Sequence, residues 1–316
     1  MASLARTIMH GLAGSRRLQT LASRYGLRKE HGFARRFVAG ERAADAIDTA
    51  RRLSAAGLSQ SLAYLGADAA TLAEADAATR ACIRMLGEIA DAGIDRHLSL
   101  SLTHYGLLVD RATSVDSLRR LLDAAGRQGF FVYLDMEESR HVETTFEIFE
   151  TLWQQQYRNA GLAVQAYLLR SAADVGRLNA LGARVRLVKG SFREPRRVAY
   201  QSKALVDAAY IEIMQQLLVE GSLPAFATHD PAMIAAAVQF AGKHGIPRDR
   251  FEFHLLHGIR RDLQAALAAD GYTVRVLVPF GPEWFPYLMR RLGERPANMG
   301  FVVRSLVQER QRRGRE

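Results

Sequence analysis

Cysteine is almost absent from this sequence. Cys82 is the single cysteine among 316 residues, so the chain can form no internal disulfide and no cysteine-based zinc site. Long hydrophobic runs are missing as well, because no stretch approaches the roughly eighteen consecutive apolar residues of a membrane-spanning helix. These absences favour an ordinary globular protein in a reducing compartment, and a cytoplasmic location is the expectation.

Several motifs of nucleotide and metal chemistry are also lacking. No G-x-G-x-x-G follows a strand-like segment and no G-x-x-x-x-G-K-[ST] occurs, which argues against a Rossmann dinucleotide site and against a P-loop. The sequence contains no H-E-x-x-H and no carboxylate cluster, and its nine histidines are scattered along the chain. No metal site is therefore expected.

Acidic residues are outnumbered by basic ones, 33 to 43, which gives a formal net charge of +10. A charge of this size is found in proteins that bind nucleic acid or an anionic membrane surface. The excess arginines, however, concentrate in residues 15–36 and 308–316 rather than in one patch. No nucleic-acid partner is expected, whereas peripheral contact with a membrane stays open.

The first 29 residues contain no acidic side chain, as in a mitochondrial presequence. They lead into RRFVAGE without a small-residue cleavage pattern, so a packed helical arm is favoured over a targeting segment. A mitochondrial location is accordingly less favoured than a cytoplasmic one.

Apolar runs of strand length alternate with longer helical patterns along the chain. One helical pattern is DPAMIAAAVQFAGKHG, in which Asp230 is the expected N-cap and Pro231 the first helical residue. The candidate strands are residues 61–66, 98–103, 130–136, 162–168, 184–190, 224–229, 251–256 and 272–280. Eight such β/α units predict an α/β fold that closes into a (β/α)8 TIM-like barrel, with a doubly wound open sheet as the alternative. A single domain over residues 1–316 is expected, with a helical arm at 1–57 and the barrel, including its last helix, at 58–316.

Polar side chains recur where these strands end, which is where (β/α)8 barrels place their chemistry. The strand-end residues are Asp135, Gln165, Arg186, Lys189, Thr228, His229, Leu256 and His257. Each has a structural alternative, since Asp135 can cap a helix and His229 can satisfy a turn. Arg186 and Lys189, followed by Gly190, favour a flat or anionic ligand such as a flavin.

An arginine pair stands near the end of the chain in WFPYLMRRLGERPAN. At helical spacing, Tyr287, Arg290, Arg291 and Glu294 share one face. Such a face can hold an anionic ligand or can be a solvated surface, and spacing alone does not decide between them.

Seven segments, in order, carry a resemblance to a known family. They are LDMEES, VQAYLLR, VRLVKGSFREP, AFATHDP, RFEFHLLHG, YTVRVLVPFG and YLMRRLGERPAN. From about residue 35 to near the C-terminus the chain strongly resembles the FAD-dependent proline dehydrogenases of the monofunctional bacterial type. The resemblance implies a distorted barrel with noncovalent FAD above the strand ends, and hydride transfer from the proline ring to flavin N5. It also implies pyrroline-5-carboxylate as product and a quinone or another electron acceptor.

The resemblance also assigns roles by motif position. The catalytic centre is expected to include Asp135, Arg186 and Lys189. The expected flavin contacts are Met136, Gln165, Arg186, Lys189, Gly190, Thr228 and His229. Arg290 and Arg291 are expected to clamp the substrate carboxylate, with Tyr287 and Leu256 lining the substrate pocket.

Two further pocket positions depart from the family pattern. Ser101 stands where the family usually has a lysine that helps to bind the substrate carboxylate, and Leu277 replaces a tyrosine that packs on the substrate ring. Both changes suggest weak activity on proline and preference for a larger or substituted proline-like amino acid. Three possibilities thus stay open: oxidation of proline, oxidation of such an analogue, and non-catalytic binding of a flavin or an amino acid.

Overall fold

The computed structural model describes residues 33–294, and they form a closed barrel of parallel strands. The strands are β1 (Ser59–Tyr64), β2 (His97–Leu100), β3 (Phe131–Leu134), β4 (Ala160–Gln165), β5 (Arg184–Val188), β6 (Ala225–Ala227), β7 (Glu252–Leu256) and β8 (Thr273–Phe280). Neighbours pair in chain order, and the barrel closes where β8 pairs with β1. The predicted (β/α)8 barrel is confirmed and the open doubly wound sheet is excluded. Residues 1–32 of the predicted arm lie outside the described residues.

Helices cover the outside of the barrel. They are α1 (Ala43–Ala55), α2 (Leu72–Asp91), α3 (Arg111–Arg127), α4 (Val142–Gln154), α5 (Ser171–Leu181), α6 (Lys203–Glu220), α7 (Pro231–Lys243), α8 (Arg261–Ala269) and α9 (Trp284–Glu294). The expected start of α7 is confirmed, because the Asp230 carboxylate accepts a hydrogen bond from the Ala232 amide at 3.1 Å and Pro231 opens the helix. Between residues 33 and 294, no helix is both long and apolar enough to cross a membrane.

Six of the eight strands end two or three residues earlier than the sequence suggests, and β2 and β4 are shortened most at this end, by three residues each. β2 stops at Leu100 because Leu102–Tyr105 form a 3-10 turn, which Gly106 ends in the left-handed region at φ 97°. β4 stops at Gln165, whose carbonyl accepts a turn hydrogen bond from the Leu168 amide at 3.1 Å. As a result, Ser101 lies in the loop after β2 rather than within the strand.

The barrel interior is filled by rings and charged groups. His97, Phe131, Tyr133 and His254 pack ring against ring, with centroids 5.3 to 6.0 Å apart. The aliphatic residues that alternate with them face the helices, and Leu62, Leu98, Val132, Val185 and Val276 are among the fully buried ones. The side chains at the strand ends therefore pack on a layer of aromatic and histidine rings inside the barrel.

Helix α9 is held against the barrel by the segment that precedes α1. A small apolar cluster joins the two, made of Ala34, Val38, Trp284, Phe285, Tyr287 and Leu288. The Trp284 indole also donates a hydrogen bond to the Glu41 carboxylate at 3.0 Å. At Gly281, just before α9, a Cβ atom would come within 2.5 Å of the Leu65 carbonyl oxygen, so only glycine fits this turn. These contacts fix where the arginine pair of α9 can lie.

Candidate active site

A cluster of three side chains, two of them buried, lies near the C-terminal ends of β2, β3 and β5. The Ser99 hydroxyl donates to the Asp135 carboxylate at 2.8 Å and accepts from Arg186 Nη2 at 2.9 Å. The same Arg186 nitrogen donates directly to Asp135. The Tyr133 ring lies beside the guanidinium, with its centroid 4.9 Å from Arg186 Cζ. Three neighbouring side chains therefore position one buried cation at the mouth of the barrel.

Arg186 is only 4% exposed, yet its hydrogen bonds are incomplete. Its second terminal nitrogen, Nη1, is buried and has no hydrogen-bond partner among residues 33–294. A buried guanidinium N–H without a partner is costly, so such groups in proteins usually meet a ligand or an ordered water. This donor, at the functional end of a barrel, fits the expectation that Arg186 contacts an anionic or carbonyl-rich group of a cofactor.

Lys189, which was expected in the catalytic centre together with Asp135, contacts two other carboxylates. Its ammonium donates to Asp207 of α6 and, at 2.9 Å, to Asp230 at the start of α7. Lys203 bonds the same Asp207 and lies 3.6 Å from Asp230. The hydrogen bond from Lys189 is the main cause of a lowered pKa at Asp230. The structure thus brings Asp135 and Arg186 together and places Lys189 in a separate network above β5 and β6.

The other expected flavin contacts lie around the same rim. Gln165 is 2% exposed, and its amide donates to the Glu137 carbonyl at 2.8 Å. Met136 is also buried, directly after Asp135. The buried Thr228 hydroxyl accepts from the Asp230 amide at 3.1 Å. Their side chains are ordered by neighbours at three separate strand ends.

His229 and Gly190 complete this set. His229 Nε2 accepts a hydrogen bond from the Leu256 amide at 2.8 Å, so the other ring nitrogen, Nδ1, carries the proton. Gly190 has φ 106°, and a Cβ atom there would come within 2.2 Å of the Tyr167 ring. The glycine is therefore required by the packing of Tyr167, a reason that the sequence did not reveal.

Leu256 and Leu277 form an apolar layer on one side of the mouth. The two are register partners on β7 and β8, and both are half-buried. Two residues earlier on β8, Arg275 bonds to Glu252 inside the barrel, so the period of two places Leu277 inside as well. Ser101 follows β2 and is half-buried. The three expected pocket residues thus lie at the ends of β2, β7 and β8.

The arginine pair of α9 divides between two environments. The Arg291 guanidinium lies over the Tyr287 ring, 5.4 Å from its centroid, and Tyr287 is itself buried in the cluster that anchors the helix. Arg290 is exposed, and it interacts electrostatically with the buried His104 after β2. Burial lowers the pKa of His104, and Arg290 lowers it further. Helix α9 therefore carries a cation to the mouth near the end of β2, as a clamp requires.

Four residues at this mouth were missed by sequence reasoning: Ser99, Tyr133, His104 and Glu137. Ser99 and Tyr133 each lie two residues before an expected site residue, Ser101 and Asp135. The period of two along a strand was the available signal, because it places both members of each pair on the inner face.

Comparisons with known proteins agree with this architecture. The family model described as proline dehydrogenase matches residues 46–304. The chain is 37% identical over 298 residues to proline dehydrogenase 1 of Bacillus subtilis (strain 168), covering 94% of this chain and 97% of that protein. It is 38% identical over 283 residues to proline dehydrogenase of Deinococcus radiodurans, with 88% of this chain and 91% of that protein covered.

A solved structure shows the same fold. Proline utilization A (PutA) from Bdellovibrio bacteriovorus, inactivated by N-propargylglycine, superposes with a TM-score of 0.77 at 24% identity. The match covers 83% of this chain but only 32% of that longer chain. Together, the matched family model and the two full-length relatives establish that the chain belongs to the proline dehydrogenase family.

Proposed function

We propose that this protein oxidises the CH–NH group of L-proline to pyrroline-5-carboxylate with FAD as its cofactor. The observation that carries the proposal is Arg186, a buried cation held by Asp135 and Ser99 whose Nη1 group has no hydrogen-bond partner among residues 33–294. Relatives named proline dehydrogenase match this chain over almost their whole length. They favour proline over a larger analogue as the substrate, and an enzyme over a binding protein.

The residues present suit a flavin. FAD, when bound, supplies the two-electron acceptor that no protein side chain provides. Arg186 and the amide of Gln165 offer donors below it, while Thr228 and His229 stand at the ends of neighbouring strands. A fixed guanidinium favours an anionic ligand and the negative charge that reduction develops. The proline dehydrogenase family is flavin-dependent, which agrees with this set of side chains.

The arginine pair orients the substrate. A guanidinium fork matches a carboxylate through two parallel hydrogen bonds, each worth about 1.5 to 3 kcal/mol when charge-assisted. Arg290 and Arg291 on α9 would hold the proline carboxylate, and the Tyr287 ring fixes the Arg291 guanidinium from one side. With the carboxylate held, the ring carbon next to nitrogen has one preferred direction relative to the mouth.

An absorbance experiment tests this function. Protein purified and reconstituted with FAD should be yellow, and proline added without oxygen should bleach its visible band. Arg186→Gln should lower FAD occupancy and slow bleaching. Arg248→Gln is the control, since Arg248 is an exposed side chain far from the mouth. Colourless protein that takes up no FAD, or a bound flavin that proline does not reduce, would refute the proposal.

A further inference from the structure

A carboxyl group at the mouth, Glu137, has no part in the chemistry described so far. It follows β3 by three residues and is half-buried. Its Oε1 atom accepts a hydrogen bond from the Thr103 amide at 3.0 Å, in the turn after β2. Its backbone carbonyl accepts from the Gln165 side chain at 2.8 Å, at the end of β4. Glu137 is thus fixed from two sides, over the same strand ends as Asp135.

The charged groups around Glu137 are mainly acidic. Asp68, in the loop after β1, and Asp135, two residues before Glu137, both place negative charge near its carboxyl. The adjacent turn contains His104, whose Nε2 lies 4.0 Å from the Asp68 carboxylate. His104 also interacts electrostatically with Arg290 of α9. Burial, which is the main cause, and the two aspartates raise the pKa of Glu137 to about 7, although the Thr103 amide opposes the shift. Near neutral pH this carboxyl can therefore both accept and release a proton.

Other titratable groups at the mouth are less suited to accept a proton. Asp135 is bonded to Arg186, and Lys189 is a cation between two carboxylates. His229 already uses Nε2 to accept from the Leu256 amide. His104 is 8% exposed, and its lowered pKa makes it a weak base. Glu137, whose pKa burial raises to about 7, is the group among these whose carboxyl can accept a proton near neutral pH.

The proposed oxidation requires such a group. At neutral pH an aliphatic amine is mostly protonated, so its nitrogen has no free electron pair. An N–H bond must first break, with the proton passing to a base and the electron pair remaining on nitrogen. That pair then forms the C=N bond as the adjacent C–H bond releases a hydride to the electron acceptor of the proposed function.

We propose that Glu137 is the base that takes the proton from the substrate ammonium before the hydride leaves. The inference rests on the proposed function and adds a catalytic residue to it. The Thr103 amide and the Gln165 side chain hold the carboxyl in place, and Asp68 and Asp135 supply the negative surroundings that make it receptive to a proton.

The test is the pH dependence of anaerobic flavin reduction by proline in the FAD-loaded protein, with Glu137→Gln, Glu137→Asp and Glu138→Gln. Glutamine keeps the oxygen that accepts from Thr103 but cannot take a proton. Glu138 is the matched control, a neighbouring half-exposed carboxylate that pairs with Arg140 at 2.9 Å. For the native protein, the second-order rate of reduction should fall tenfold per pH unit below about pH 7, where Glu137 is protonated.

Glu137→Gln should be reduced about 100-fold more slowly at pH 7.5, within the range usual for loss of a general base. It should recover as the pH rises towards about 10, where the substrate amine loses its proton unaided. Glu137→Asp should still show an acidic limb, displaced in pH from that of the native protein, and Glu138→Gln should match the native profile. If Glu137→Gln fails to hold FAD, Glu137→Asp decides, because an acidic limb displaced in pH supports the inference and an unmoved limb overturns it.

Two negative results have different meanings. A native protein that proline reduces, together with Glu137→Gln within twofold of it and with the same acidic limb, would overturn the role of Glu137 and leave the proposed function standing. A native FAD-loaded protein that proline does not reduce at any pH would overturn both.

Discussion

Removing the Ser99 hydroxyl should loosen the buried cation without removing any charge. Ser99 is 1% exposed, and its oxygen bonds both Asp135 and Arg186. In Ser99→Ala the two charged groups still contact each other, but each loses one fixed partner. We therefore expect a folded protein in which Arg186 is less well positioned.

The size of the effect follows from the contacts. Each lost bond involves a charged group, for which about 1.5 to 3 kcal/mol is usual. Because Asp135 and Arg186 keep their direct bond, the total should stay near the value for one such bond rather than two. An unfolding entropy of about 2.1 cal/mol/K per residue gives roughly 0.7 kcal/mol/K for 316 residues, so Tm should fall by about 2 to 5 °C. A small displacement of Arg186 should lower kcat/KM for proline about tenfold or more.

Thermal unfolding and proline-dependent flavin reduction measure the two effects. Ser114→Ala is the control, because Ser114 is equally buried on α3 but its hydroxyl has no hydrogen-bond partner among residues 33–294. The control should keep the native Tm within about 1 °C and the native rate. If Ser99→Ala behaves like Ser114→Ala in both assays, the hydroxyl does not position Arg186 and the reasoning is wrong.

Three further outcomes are expected. Arg291→Lys should raise the KM for proline about tenfold or more, because an ammonium cannot reproduce the bidentate fork. An unchanged KM would instead indicate that the arginine pair is only a solvated surface. Ser101→Lys should lower the KM for proline by adding a cation worth about 1 to 3 kcal/mol, and Leu277→Tyr should disfavour ring-substituted prolines and pipecolate; an unchanged substrate ranking in both would contradict the pocket assignment. Burial and Arg261 lower the pKa of His257 to about 4, below the unfolded value of about 6.5. The contribution of His257 to the free energy of unfolding is therefore complete above about pH 6.5, and it is lost as pH falls towards 4. His257→Gln should therefore flatten the pH dependence of the free energy of unfolding in that window. Urea melts in which the variant keeps the native pH dependence would contradict this.

Most of the fold could be predicted from periodicity. All eight candidate strands exist, because apolar runs of six to nine residues that alternate with helical patterns are typical of the buried strands of a parallel sheet. The ends of β2 and β4 could not be predicted, since Ser101 and Leu168 stand in segments as apolar as the strands themselves. There the turns are set by hydrogen bonds that depend on the folded backbone.

The site was only partly predictable, for a related reason. Arg186 and Asp135 are 51 residues apart in sequence, and their contact follows from barrel closure, which puts neighbouring strand ends on one rim. The partners of Lys189 could not be inferred, because Asp207 comes from the first turns of α6, and the helix crossing decides which side of the rim it reaches. Ser99 was overlooked because a serine within an apolar strand carries no signal of its own.

Two buried arginines inside the barrel show how the fold separates stability from function. Arg275, on the N-terminal side, is fully engaged: it bonds both oxygens of Glu252 at 2.9 and 3.0 Å and Asp95 at 3.2 Å. Burial alone would raise the pKa of Glu252, but its hydrogen bonds with His254 and Arg275 lower it. Arg186, nearer the C-terminal side, is bonded to Asp135 but keeps Nη1 buried without a partner among the described residues. A complete buried network rigidifies a core, whereas an incomplete one leaves electrostatic free energy for a ligand to recover. The unsatisfied donor belongs to the end of the barrel where Glu137, the arginine pair of α9 and the side chains proposed to contact the flavin lie, so a ligand bound there would complete a network that folding alone leaves open.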